Sequence, residues 1–206
     1  INGKSAGETH LGSFYRFKYN ITDKIVFDKN NLLEVTVSKM SADASVNNAE
    51  RLADYWIFGG IFRPVYLEAL PKEYIEYTAI DANADGSFAM NVFLKNIQQT
   101  RQVKATIKDA AGKSIATIQK NITARDSLVQ LTTRISQPRQ WTSETPNLYT
   151  VQVELVSGTA AMHRMKERFG FRTIEIRKSD GIYVNGVKIK MKGINRHVFW
   201  PETGRT

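Results

Sequence analysis

The chain has 206 residues, of which 42% are hydrophobic and 24% charged, and 29 Lys and Arg stand against 20 Asp and Glu for a formal charge of +9. These are ordinary values for a globular chain with one large or two smaller cores. The absence of cysteine excludes disulfides, thiolate metal sites and cysteine catalysis. No apolar run approaches the roughly 18 residues of a membrane-spanning helix, and the basic residues are scattered without an Arg-rich tract, so neither a membrane nor nucleic acid is expected as a partner.

The chain opens Ile1-Asn2-Gly3-Lys4, without an initiating Met, and Ile1 is read as lying partway into a strand. Phe14 to Asn20, Ile25 to Phe27, Leu32 to Ser38 and Ile61 to Glu68 are expected to be extended. In the third of these, Leu33, Val35 and Val37 alternate with Glu34, Thr36 and Ser38, the period of a strand with one face on a core. The one helix expected is short, around Asn48 to Tyr55. Gly59-Gly60 breaks the chain before the last extended run, and Pro71 marks a boundary. Four runs are too few for a closed sandwich, so residues 1–70 are read as a partial jelly-roll.

From Tyr74 to Arg172 seven strand-like runs follow, near 74–80, 88–94, 102–109, 114–120, 128–134, 148–156 and 162–172. Asp85-Gly86 and Asp109-Ala110-Ala111-Gly112 supply turn chemistry between them. Seven short strands in about a hundred residues is the expectation for an immunoglobulin-like sandwich. Lacking cysteines, it must be held by packing alone. Trp141 and Tyr149 bracket Pro146 and are expected to pin the last turn into the core. Asp81, Asn83 and Asp85 alternate before Gly86 as in a calcium loop, but the later bidentate Glu is missing, so this is read as a polar turn. His10 and His163 have no partner at metal-ligand spacing.

Asn185-Gly186 separates Ile182-Tyr183-Val184 from Val187-Lys188-Ile189, the signature of a type I′ hairpin. The alternation continues through Val187 to Lys192, with Lys188, Lys190 and Lys192 on one face. It ends in Gly193-Ile194-Asn195-Arg196-His197. Three polar side chains where a strand leaves its sheet are placed as barrel enzymes place active-site residues.

Several stretches now read together: Asn2-Gly3-Lys4 with Gly7; Leu32-Leu33-Glu34-Val35; Gly59 to Leu67; Trp141 to Tyr149; Phe169-Gly170-Phe171-Arg172; Val184-Asn185-Gly186; and Gly193-Ile194-Asn195-Arg196-His197. In this order and at these separations they resemble glycoside hydrolase family two, the β-galactosidase and β-glucuronidase family, over essentially the whole chain. The resemblance implies a mainly β fold in three modules. Residues 1–70 are the tail of a sugar-binding-like jelly-roll, 71–173 an immunoglobulin-like β-sandwich, and 174–206 the first hairpin and strand of a TIM-barrel catalytic domain. It implies a retaining glycosidase acting on terminal β-linked sugars, with two glutamates about 5 to 5.5 Å apart as nucleophile and acid/base. Both belong to later barrel strands, so this stretch by itself is expected to be inert, and Glu202 matches neither. No cofactor is implied; where relatives use metal ions, the ligands would fall after Thr206. A carbohydrate substrate is implied for the full-length protein, and a homo-oligomer and a periplasmic or secreted location are compatible by analogy only.

By the same resemblance His197 matches a histidine that hydrogen-bonds a hydroxyl of the sugar beside the cleaved bond; the bland alternative is a structural or exposed loop histidine. Asn195 shares its strand face. Arg196 points opposite, either orienting the catalytic carboxylates or locking the barrel mouth with a salt bridge. Trp200 could stack on a pyranose face or pack at the barrel rim. Val198 stands where the family often has glutamate, which weakens a choice of galactose. Arg63 and Tyr66 are read as structural. The rival reading is a non-catalytic carbohydrate-binding or scaffold β-sandwich protein, which leaves the terminal hairpin and Asn-Arg-His unexplained.

Overall fold

The computed structural model describes residues 1–52, 58–196 and 200–202. They divide into two compact units, Ile1–Leu67 with the described part of Gly193–Thr206, and Glu68–Lys192.

In the first unit the only regular element among the described residues is α1, Ala44–Arg51. It begins and ends earlier than expected because Asp43 is the N-cap. The Asp43 carboxylate accepts from the Ser45 N–H at 2.8 Å, satisfying a donor that the first turn leaves unpaired. Tyr55, the expected end, lies outside the described residues. The four runs expected to be extended form no ladder among the described residues. Leu33, Val35 and Val37 are 57%, 56% and 47% exposed. Alternation sets which residues share a face but cannot supply a neighbouring strand, and here no described segment pairs with them.

Polar bonds between segments far apart in sequence tie this unit together. Asn2 and Gly3 both have positive φ, 52° and 74°, the Asn-Gly conformation of a tight turn. The Asn2 N–H donates to the Leu32 carbonyl at 2.9 Å. Its carboxamide accepts from the Leu32 N–H at 2.9 Å and donates to Lys24 and Asn31. The buried Glu50 carboxylate accepts from both N–H and Oγ of Ser13 at 2.9 Å.

The second unit carries β1 (Tyr74–Ala82), β2 (Ser87–Lys95), β3 (Arg101–Lys108), β4 (Ser114–Ile122), β5 (Leu128–Arg134), β6 (Tyr149–Ser157) and β7 (Ala160–Phe169). These are the seven expected runs. They form two antiparallel sheets, β1-β2-β5 and β4-β3-β6-β7. The chain passes between sheets at β2–β3, β4–β5 and β5–β6, the Greek-key path of an immunoglobulin-like sandwich. One inward face presents Phe88, Met90, Val92 and Leu94 with Val129 and Leu131; the other presents Val103, Ala105 and Ile107 with Val151, Val153 and Leu155. All of these are at most 5% exposed. They make one core, and it does without a disulfide.

Tyr149 opens β6 with its ring in the core, 7% exposed. Its hydroxyl accepts from the Arg139 N–H at 2.8 Å, the tyrosine corner of such sandwiches. Phe169 and Phe171 pack on it edge and face, with ring centroids 5.0 to 5.8 Å apart. The Asp81–Asp85 stretch is the polar turn expected. Asp85 accepts from Ser87 N–H and Oγ, and Gly86 sits at φ +86° with the Ile135 carbonyl where a Cβ would be. Only glycine fits there.

A buried ion pair was not foreseen. Arg101 at the start of β3 forks onto Glu73, with Nε–Oε2 2.6 Å and Nη2–Oε1 3.2 Å, and Glu73 also accepts from the Gln98 N–H. Its side chain is 6% exposed. The partners lie 28 residues apart, too far for any local pattern to show.

A separate three-stranded meander follows the sandwich: β8 (Ile174–Arg177), β9 (Gly181–Val184) and β10 (Val187–Ile189), in the order β10-β9-β8.

Candidate functional site

The segment expected to carry the site begins at the β9–β10 hairpin, and the hairpin is anchored to the sandwich through Asn185. Asn185 and Gly186 have φ of 52° and 79°, as a type I′ turn requires. The Asn185 N–H donates to the Thr173 carbonyl at 2.8 Å. Its Oδ1 accepts from the Thr173 N–H at 2.9 Å, and its Nδ2 donates to the Trp141 carbonyl at 3.0 Å. One carboxamide therefore ties three segments: the turn, the chain leaving β7, and the loop before β6. Trp141 completes the joint. Its N–H donates to the Phe171 carbonyl, its Cβ lies where a side chain on Gly170 would have to go, and the Arg172 guanidinium sits 4.8 Å above its ring.

Three of the stretches that carry the family resemblance thus meet in one place. Trp141, Gly170-Phe171-Arg172 and Asn185-Gly186 are the parts of a joint that sets the direction of the chain beyond the sandwich. Sequence reasoning read the turn correctly. It did not see that the turn asparagine spends its side chain on segments 12 and 44 residues away.

Beyond the joint, Tyr183 stacks under the Arg177 guanidinium, whose Cζ is 3.7 Å from the ring centroid. Asp180 accepts from Lys188 Nζ at 2.6 Å and from the Tyr183 hydroxyl. These bonds, the Lys188 one foremost, hold the Asp180 carboxyl below its usual range. The strand expected over Val187 to Lys192 runs as β10 only to Ile189. The reason lies in its partner: Ile189 pairs with Ile182, and β9 begins one residue earlier at Gly181, so nothing stands opposite Met191. Met191 and Ile194 are 71% and 87% exposed.

Asn195 and Arg196 are exposed, and Trp200 is 63% exposed. His197 lies outside the described residues, as does Val198. Among the described residues the Asn195 and Arg196 side chains make no hydrogen bond or ion pair, and no group of acidic and histidine side chains that could hold a metal ion occurs among them.

The sequence profile described as "Glycosyl hydrolases family 2" matches residues 70–172, the span of the sandwich. Over 211 residues the chain is 28% identical to a beta-galactosidase of Thermoanaerobacter pseudethanolicus, covering 99% of this chain and 28% of that protein. It is 31% identical over 213 residues to the beta-galactosidase large subunit of Leuconostoc lactis, covering all of this chain and 32% of that one. The crystal structure of a Bacteroides uniformis beta-glucuronidase superposes with a TM-score of 0.73 at 23% identity, over 91% of this chain and 24% of that one; this last is a likeness of fold. The chain spans between a fifth and a third of the length of the curated relatives it matches. With the profile matched over half its length by a seven-stranded sandwich, the chain belongs to family 2 of the glycosyl hydrolases.

Proposed function

We propose that these 206 residues are part of a retaining β-glycosidase of β-galactosidase or β-glucuronidase type, whose two catalytic glutamates belong to other parts of the full-length protein. The supporting observation is the similarity to beta-galactosidases over essentially the whole chain. In this reading residues 1–70 belong to a jelly-roll, 71–173 form the sandwich, and 174–206 open a catalytic barrel. The Trp141–Asn185 joint fixes the angle at which that barrel starts.

His197 donates or accepts a hydrogen bond at a hydroxyl of the sugar next to the cleaved bond. Asn195 lies on the same side, Arg196 steers the catalytic carboxylates, and Trp200 stacks on a sugar face. A bond to a ring hydroxyl that shortens as the oxocarbenium-like transition state forms accelerates the reaction, whereas one of constant strength only tightens binding.

The test uses the full-length protein with 4-nitrophenyl β-galactoside and β-glucuronide. Hydrolysis of one with retained configuration is expected, and His197→Ala should lower kcat/KM about 10- to 100-fold, the loss of one transition-state hydrogen bond. A full-length protein that binds glycans but cleaves neither substrate belongs instead to the scaffold class. A His197→Ala enzyme of unchanged kcat/KM removes His197 from the site.

A further inference from the structure

The basic residues that look scattered along the sequence are gathered by the sheet. In an antiparallel ladder, residues directly opposite each other share a face. Across β3, β6 and β7 the register places Lys104 opposite Glu154 and Glu154 opposite Arg164. The next outward row is Thr106, Gln152 and Lys166, and the one after is Lys108, Thr150 and Arg168. Their inward neighbours Val103, Ala105 and Ile107 are fully buried, so these three rows lie on the outer face of the four-stranded sheet, across β3, β6 and β7.

Among these nine residues five are basic and one is acidic, and the acid is taken: Arg164 Nε meets Glu154 Oε1 at 2.6 Å. Lys104, Lys108, Lys166 and Arg168 have no ion-pair partner among the described residues. Strands lie about 4.8 Å apart and same-face neighbours about 6.7 Å apart along a strand, so the four cations form a grid about 10 Å wide and 13 Å long. Besides the Glu154–Arg164 pair, the remaining residues of these rows carry hydroxyls and an amide: Thr106, Thr150 and Gln152. Outer sandwich faces ordinarily mix both signs of charge. A face of net positive charge lined with hydrogen-bonding groups instead attracts an extended polyanion.

We infer that this face binds an acidic polysaccharide, one bearing carboxylate or sulfate groups, at a site separate from the place where bonds are cleaved. The cations meet the acidic groups, and the Thr and Gln side chains meet sugar hydroxyls. Single-stranded nucleic acid is disfavoured because it is held by bases stacked on aromatic rings, and these three rows present none. The choice of a glycan among polyanions rests on the glycosidase reading above. Such a face would keep a long substrate near the enzyme between cleavages, through effective concentration.

The 206-residue chain is titrated with polygalacturonate, dextran sulfate, neutral dextran and a DNA duplex by affinity electrophoresis or calorimetry at two salt concentrations. Binding to one or both acidic glycans, weakened by salt and absent for neutral dextran, is expected. The combined K104Q, K108Q, K166Q and R168Q variant should bind on the order of a thousandfold more weakly, each of the four cations contributing roughly fivefold. Lys166 and Arg168 are exposed and Lys104 and Lys108 half-buried, and a thermal melt confirms that the variant folds. A control variant with Lys29, Lys39, Lys178 and Lys190 changed to Gln removes the same charge from elsewhere and should bind as the parent does. Equal weakening in the two variants would mean that net charge alone is at work and would overturn the proposal, as would tighter binding of the duplex than of either glycan. Because the readout is binding, it stands or falls independently of whether the full-length protein cleaves a β-galactoside.

Discussion

Residues 32–38 and residues 149–155 have nearly the same alternating pattern and opposite fates. Tyr149, Val151, Val153 and Leu155 are at most 7% exposed, while Leu33, Val35 and Val37 are each about half exposed. The difference lies in partners. The strand β6 pairs with β3 on one side and β7 on the other, so its inward residues meet a second sheet. The run at 32–38 has Asn2 against Leu32 and no ladder among the described residues. Period-two hydrophobicity states that one face wants burial. The burial itself comes from segments far away in sequence, and its stabilisation, about 25 cal/mol per Å² of apolar surface, is collected only where they arrive.

The largest effect that sharpens this contrast is expected at Glu73. Glu73→Ala leaves the Arg101 guanidinium nearly buried with no carboxylate, which costs about 3 to 5 kcal/mol. Chemical denaturation of residues 68–192 within the chain, followed by the near-ultraviolet signal of Tyr149 and Trp141, measures it. The double change Glu73→Met with Arg101→Met should recover much of the loss, because no uncompensated charge remains. A single variant as stable as the parent would mean that the pair is solvated in solution.

Next in size is a matched truncation in the two regions. Leu155→Ala removes a fully buried side chain from the core and should cost about 2 to 5 kcal/mol. Leu33→Ala removes the same atoms from a site 57% exposed and should cost within about 0.5 kcal/mol. A comparable loss at Leu33 in the 206-residue chain would show that the first region packs in solution far more tightly than its burial implies.

These contrasts also mark how much could be read beforehand. All seven sandwich strands were visible within two or three residues, since each alternates and is bounded by turn residues. The hairpin at Asn185-Gly186 was visible because Asn-Gly is among the few dipeptides that take positive φ twice at little cost. What escaped was non-local. Glu73 and Arg101 looked like two surface charges. Asn185 looked like a turn residue and proved to be a three-way tie. The short β8 strand was missed because four residues carry too little pattern to stand out. The basic outer face was dismissed as scatter, because in sequence Lys104 and Lys166 are far apart and only the ladder brings them together. Asn2 and Asn185 make the lesson concrete. Both head Asn-Gly turns at φ 52°, and both spend their carboxamides on backbone groups of distant segments. Motifs that carry the family resemblance are thus in part motifs of assembly.

The smallest effect concerns the edge where β7 meets β1. His163 Nδ1 accepts the Ile75 N–H at 3.1 Å, and only an unprotonated nitrogen can do so. The Tyr74 ring lies 6.2 Å away, edge to face. Partial burial lowers the His163 pKa from its ordinary 6.5, and the Glu68 carboxylate opposes that shift without cancelling it. The sign follows from proton counting. With the folded pKa below the unfolded one, the unfolded chain binds more protons between the two values, so stability rises with pH across that interval. Stability should therefore be level above about pH 7, fall as pH drops through 6.5, and level off again once the folded-state histidine is protonated. Denaturation midpoints from pH 5 to 7.5 would trace the step. His163→Gln keeps an acceptor for Ile75 but cannot titrate, and it should flatten the profile while the Leu155 and Glu73 effects persist at every pH. A parent profile already as flat as that of the variant would place His163 in water, with the Ile75 N–H bonded elsewhere.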